Sequence, residues 1–132
     1  MKVVIDTNVL ISAFLYPDGI PSRALLHAVN NHTLLLSDYN ISELYDVAER
    51  KFPGRMSDID AFLTEFSYEL IIAPISPDKR INDPKDAPVL NAVIIGYADV
   101  LISGDHHFHE LSISRPKLMT AAKFLSSDGQ LK

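Results

Sequence analysis

The sequence has no cysteine, and its 12 lysines and arginines never stand more than two in a row along 132 residues. Without cysteine there is no disulfide scaffold and no thiolate zinc site, and a reducing, cytoplasmic location is permitted. Without a basic run there is no tail for nucleic acid, so any such contact must come from residues assembled by folding. Long apolar runs are missing as well. The richest stretch, "APVLNAVIIGYADVLI", contains Pro88, Asn91 and Asp99, and a membrane span needs roughly 18 consecutive apolar residues. Lys2 before "VVI" imitates a signal peptide, but Asp6 and Asn8 interrupt the stretch that would have to be unbroken. A soluble protein with no membrane partner is expected.

What is present fits one globular domain over residues 1–132. Hydrophobic residues make up 47% and charged residues 22%, and a chain of this length can bury a core of its own. The net charge is −5 and the pI about 5.4, which is not the balance of a non-specific nucleic-acid binder. Acids gathered around a metal, however, lower the total charge without repelling a metal-bridged phosphate.

Strand-like and helix-like segments alternate. "KVVI" is a continuous apolar run, the pattern of a strand covered on both faces. "NVLISAFL" begins a helix that Asp6 or Thr7 can cap, and "YPDGIPS" breaks it. "SRALLHAVNN" reads as a second helix and "HTLLLS" as a second strand. "SDYNISELYDVAERKF" is a third helix, capped by Ser37 or Asp38, with an apolar stripe through Ile41, Leu44, Tyr45, Val47 and Ala48. "DIDAFLTEFSYE" is a fourth, capped by Ser57, and "LIIAPI" a third strand. After a polar loop, "DAPVLNAVIIGYA" reads as a helix, "DVLISGD" and "PKLMT" as strands, and "TAAKFLSSDG" as a last helix with Thr120 as cap and Gly129 past its end. Such alternation predicts an α/β fold, a three-layer α/β/α sandwich around a central parallel sheet.

In a parallel sheet, ligands bind in the crevice at the carboxyl ends of the strands. Two of the predicted strands end there in an acid, Asp6 and Asp105. Asp86 stands at the start of a helix, with Asp83 three residues before it, and Glu43 lies early in the third helix on the flank of its apolar stripe. Singly, each has an ordinary explanation: Asp6 and Asp86 as helix caps, Asp105 as a turn, Glu43 as a solvated helix residue. Together they pose an electrostatic problem. Two carboxylates ~4 Å apart repel by about 4 kcal/mol at an effective dielectric near 20, so four that converge need raised pKa values or a cation between them. Hard oxygen donors select Mg²⁺ or Mn²⁺, and such a site suits phosphodiester hydrolysis.

The segments "VVIDTNVLISA", "LLLSDYNISEL", "INDPKDAPVLNAVIIGYADVLISGD" and "PKLMTAAKFL" resemble the PIN domain, the small nuclease fold of VapC-type toxins, over essentially the whole chain. The resemblance implies a metal-dependent endoribonuclease, the toxin of a toxin–antitoxin pair. It puts the four metal-binding and catalytic acids on Asp6, Glu43, Asp86 and Asp105. Thr7, Asn8 and Ser103 would orient ligands or waters, with Asp83 accessory. It also implies an RNA substrate, a small antitoxin protein as partner and a homodimer. In one respect the chain departs from the family: relatives often carry an Asp two residues after the fourth acid, where this sequence has His107.

His106, His107 and His109 form a weak metal pattern beside a strand end, more often solvent-facing, although one of them could touch a phosphate or shuttle a proton. His27 and His32 read as ordinary helix and turn residues. Arg23, Lys79, Arg80 and Lys85 could contact RNA phosphates or simply be solvated, and Phe14, Tyr16 and Phe108 could stack on bases or belong to the core. Two other classes compete. A PIN-fold module that binds a protein or RNA partner without catalysis suits the acidic balance and the missing acid at His107. A phospho-acceptor receiver domain is disfavoured because only one acid follows "VVI".

Overall fold

The computed structural model describes residues 1–72, 98–104 and 117–128. Five short strands form one sheet: β1 Lys2–Ile5, β2 Thr33–Ser37, β3 Glu69–Ile71, β4 Val100–Ile102 and β5 Lys117–Met119. Every pairing among them is parallel, and the order across the sheet is β3-β2-β1-β4-β5. Among the described residues five helices accompany them: α1 Thr7–Leu15, α2 Ile20–Asn31, α3 Asp38–Lys51, α4 Met56–Thr64 and α5 Ala121–Asp128. The three-layer α/β/α architecture expected from the alternating pattern is the one observed.

The continuous apolar runs are explained by burial on both faces of the sheet. Val3, Ile5, Leu34, Leu36, Val100, Ile102 and Met119 join a single core cluster with Leu10, Leu25, Leu44, Ile59 and Phe124 from the five helices. The alternate residues Val4, Leu35 and Leu101 occupy one register row and are no less buried, so the opposite face is covered too. Burying a Val, Leu or Ile side chain contributes roughly 1.5–3 kcal/mol, and the two rows explain why β1 carries no polar residue after Lys2 until the chain leaves the sheet.

Most boundaries follow the local chemistry. Ser37 caps α3 and Thr120 caps α5, its hydroxyl accepting from the Lys123 N–H at 3.1 Å. Three expectations are corrected. Ser57 is not a cap, because a 3₁₀ turn at Pro53–Arg55 runs straight into α4 and Arg55 holds the capping position. That helix ends at Thr64, and β3 begins at Glu69, earlier than "LIIAPI" suggests. The second helix starts at Ile20 rather than Ser22, since Pro21 lies in its first turn, where a missing N–H costs nothing. The predicted helix over "DAPVLNAVIIGYA" lies outside the described residues except for Ala98, and so does Gly129.

Candidate active site at the sheet edge

The strand order places β1 at the centre of the sheet. From β1 the chain moves outward through β2 to β3, then returns to β4 on the other side of β1 and continues to β5. The direction of winding reverses between β1 and β4, the position at which an open parallel sheet forms its ligand crevice. Asp6 follows β1 and Ser103 follows β4, so both stand at this reversal. The ladder extends one step beyond the strands: the Asp6 N–H donates to the Ile102 carbonyl at 2.9 Å, and the Ser103 N–H to that of Met119 at 2.9 Å.

Asp6 occupies the N-cap position of α1, with extended backbone angles, but its carboxylate accepts no hydrogen bond from the helix. Instead the Ser103 hydroxyl donates to Asp6 Oδ2 at 3.1 Å, between two residues 97 apart in sequence. Asp6 is 7% exposed and Ser103 fully buried. A carboxylate is costly to bury unless it is paired or hydrogen-bonded, and a capping role would have satisfied this one locally. Its position therefore has a cause other than helix initiation.

A second group of contacts brings the start of α3 to the same edge. Asn40, at 0% exposure, is the third residue of α3, and it completes a reciprocal cap with Ser37. The Asn40 N–H donates to Ser37 Oγ at 2.9 Å, and Asn40 Oδ1 accepts from the Ser37 N–H at 3.2 Å and its hydroxyl at 2.8 Å. The remaining group, Nδ2, donates to Thr7 Oγ1 at 2.9 Å. The carboxyl ends of β1 and β2 are thus tied together through Thr7 and Asn40. Glu43 follows Asn40 by three residues, one turn along the same flank of the helix. It is half-buried, accepts from the Tyr39 hydroxyl at 3.2 Å, and borders a groove of about 450 Å³ shared with Ser42, Asp46, Glu49 and Arg50.

Of the residues predicted from sequence, the structure brings together Asp6, Thr7 and Ser103, with Asn8 in the first turn of α1 and Glu43 one turn from the Asn40–Thr7 contact. Asp83, Asp86, Asp105, His106, His107 and His109 lie outside the described residues, as do Lys79, Arg80, Lys85 and Phe108. Among the described residues no three His, Asp or Glu side chains are grouped to hold one metal ion. The chemistry of Asp6, Glu43 and their hydroxyl neighbours suits a hard divalent cation, with oxygen donors only and no thiolate in the chain. The sequence reading missed Asn40. Its signal was the spacing of a polar side chain three residues after a capping serine, a pattern usually sought with Glu or Gln.

Other candidates settle into structural roles. Phe14 is core, packed edge-on against Phe62 at 5.5 Å with the Arg55 guanidinium 4.5 Å over its ring, whereas Tyr16 and Arg23 are exposed. His27 and His32 pack around Phe124. The Tyr45 phenol is pushed up to about 12, first by its hydrogen bond to Asp60 and then by partial burial and the Asp60 charge. That pair fastens α3 to α4 and is not part of the sheet edge.

Comparison with known proteins agrees with this geometry. A family model described as PIN domain matches residues 2–107. The chain is 33% identical over 113 residues to the uncharacterized protein MJ1680 of Methanocaldococcus jannaschii, covering 80% of this chain and 71% of that one. Its fold is similar to a chain in the crystal structure of VapBC2 from Rickettsia felis bound to a DNA fragment from their promoter, with a TM-score of 0.69 and 18% identity over 91% of this chain and 98% of that one. Among the described residues no helix is long and apolar enough to cross a membrane. By its matched sequence and its sheet order, the chain belongs to the PIN domain family.

Proposed function

We propose that the protein is a metal-dependent endoribonuclease, one nuclease domain over residues 1–132, that hydrolyses RNA phosphodiester bonds. In this reading Asp6, Glu43, Asp86 and Asp105 hold Mg²⁺ or Mn²⁺, while Thr7, Asn8, Asp83 and Ser103 orient ligands and substrate. The observation that carries it is Asp6: a buried carboxylate at the reversal point of the sheet, gripped by Ser103 and not used as a helix cap. PIN domains are generally nucleases, which supports the hydrolase class.

A bound divalent ion supplies a water of lowered pKa and neutralises charge on the phosphate. The residues of this chain provide the geometry. Ser103 donates to one carboxylate oxygen of Asp6 and so restricts its rotation at the sheet edge. Asn40 holds the Thr7 hydroxyl, so the turn between β1 and α1 keeps its shape when substrate arrives. Glu43 would bring a second carboxylate from a separate helix, one turn from the Asn40–Thr7 contact.

The VapBC2 likeness supports an antitoxin protein as partner, and the reading extends to the toxin of a toxin–antitoxin pair that is cytoplasmic and dimeric. The decisive comparison is wild type against Asp6→Asn on cellular RNA with Mn²⁺ and with chelator. Asn keeps an oxygen that can accept from Ser103, so the fold should survive while a ligand charge is lost. Even outer partners of metal ligands cost 10–100-fold, so a loss of roughly 100-fold or more is expected. Equal cleavage by the two proteins would sink the assignment. No cleavage by wild type, with a silent calorimetric titration at millimolar Mn²⁺, would favour the partner-binding module instead.

A further inference from the structure

A second groove, of about 430 Å³, opens at the same edge of the sheet. It is lined by Asn8, Val9 and Ser12 on α1, Pro21 in the first turn of α2, Gly104 just after β4, and Ala121 at the start of α5. Two of these flank the candidate catalytic residues directly, since Asn8 follows Asp6 by two positions and Gly104 is the next residue after Ser103. The groove is therefore continuous in the chain with the Asp6–Ser103 pair on two sides.

Its chemistry is unlike that of the Glu43 groove. None of these six residues is charged, so among the described residues the lining offers nothing to neutralise a phosphate. It offers apolar surface from Val9, Pro21 and Ala121, and two neutral polar groups, the Asn8 amide and the Ser12 hydroxyl, one helical turn apart on α1. Neither side chain hydrogen-bonds to another described residue, so both can donate and accept toward a ligand. The volume lies in the range of small-ligand clefts, roughly 300–1,000 Å³. A flat, uncharged group with hydrogen-bonding edges matches this lining, and an unstacked nucleobase is such a group; an amide side chain can bond a base edge twice.

We propose that this groove seats a base of the RNA strand beside the cut bond, with Asn8 and Ser12 contacting its edge. The proposal rests on the nuclease reading and adds the subsite that chooses where the strand is cut. A protein side chain in the same groove is the competing occupant.

Two variants fill the groove without disturbing the core. A Cβ added at Gly104 meets no atom within 4 Å, and the backbone there does not demand glycine, so Gly104→Leu projects into open space. Ser12→Leu enters from the α1 wall and replaces a weak helix former by a strong one. Thermal midpoints check that both are folded. The substrates are an RNA oligonucleotide cut by wild type and the same strand with an abasic nucleotide on either side of the cut bond in turn. A base contact is worth about tenfold or more, so wild type should cut the intact strand at least about tenfold faster than one of the abasic strands. Both variants should cut intact and abasic strands alike, near the wild-type abasic rate, because base and groove act as one coupled pair. Variants as fast as wild type on intact RNA would overturn the subsite and leave the nuclease standing; that result with loss of a protein complex would assign the groove to a protein. Variants that slow every strand by the same factor would overturn it as well. A wild type that cuts no RNA would remove the nuclease reading and the subsite together.

Discussion

Asp6 starts α1, yet its carboxylate makes no capping hydrogen bond, and at the scale of one residue this is the most informative fact in the molecule. From sequence, an acid between an apolar strand and a helix is equally a cap or a ligand, and nothing local separates the two. Its partner separates them, and Ser103 lies 97 positions away, at a distance along the chain that only the sheet order closes. The resemblance to PIN domains assigns Ser103 an orienting role, but the bond that performs it required the fold. Ser103→Ala removes the hydroxyl from a buried carboxylate. Hydrogen bonds to charged groups contribute about 1.5–3 kcal/mol, which for a domain of this size corresponds to a thermal midpoint lower by about 5–10 °C. A melt of the variant measures it, and a midpoint unchanged within a degree would mean that the contact does not hold Asp6 in place.

The elements were legible where the pattern is long or strongly apolar. Each of the five strands overlaps a predicted run, and the three inner ones, β1, β2 and β4, are the clearest, because Val, Leu and Ile in unbroken succession fit a doubly covered sheet and little else. The errors occur at boundaries set by backbone geometry rather than side-chain pattern: the 3₁₀ turn at Pro53 that removes the cap from Ser57, and Pro21 admitted to the first turn of α2. The third helix shows how one side chain can organise an element. Asn40 satisfies the Ser37 N–H and hydroxyl with its oxygen and Thr7 with its nitrogen, so its loss opens a cap and leaves buried groups without partners. Caps contribute about 0.5–2 kcal/mol and an orphaned buried polar group costs about 1–3. Asn40→Ala should therefore destabilise by about 2–4 kcal/mol in urea unfolding. Asn30→Ala, on the exposed face of α2, should stay within about 0.5 kcal/mol. Equal effects from the two asparagines would deny Asn40 its bridging role.

For the whole molecule, the alternation of strands and helices was enough to give an α/β/α sandwich, but not the order of the strands. That order decides the site, because it sets β1 beside β4 and brings the ends of two distant segments to one edge. The proposed ligands Asp6, Glu43, Asp86 and Asp105 come from four separate stretches of chain, so an ion that they share can bind only the folded state. Binding then adds RT ln(1 + [L]/Kd) to stability, about 2.7 kcal/mol when free metal is 100 times Kd. Mn²⁺ should raise the thermal midpoint of wild type by several degrees, with the gain growing logarithmically above Kd, and matched ionic strength supplied by KCl should not reproduce it. Asp6→Asn should abolish most of the gain. This linkage needs no substrate and no catalysis. A wild-type midpoint indifferent to millimolar Mn²⁺ would therefore mean that these four carboxylates do not meet around a common cation, whatever the protein does to RNA.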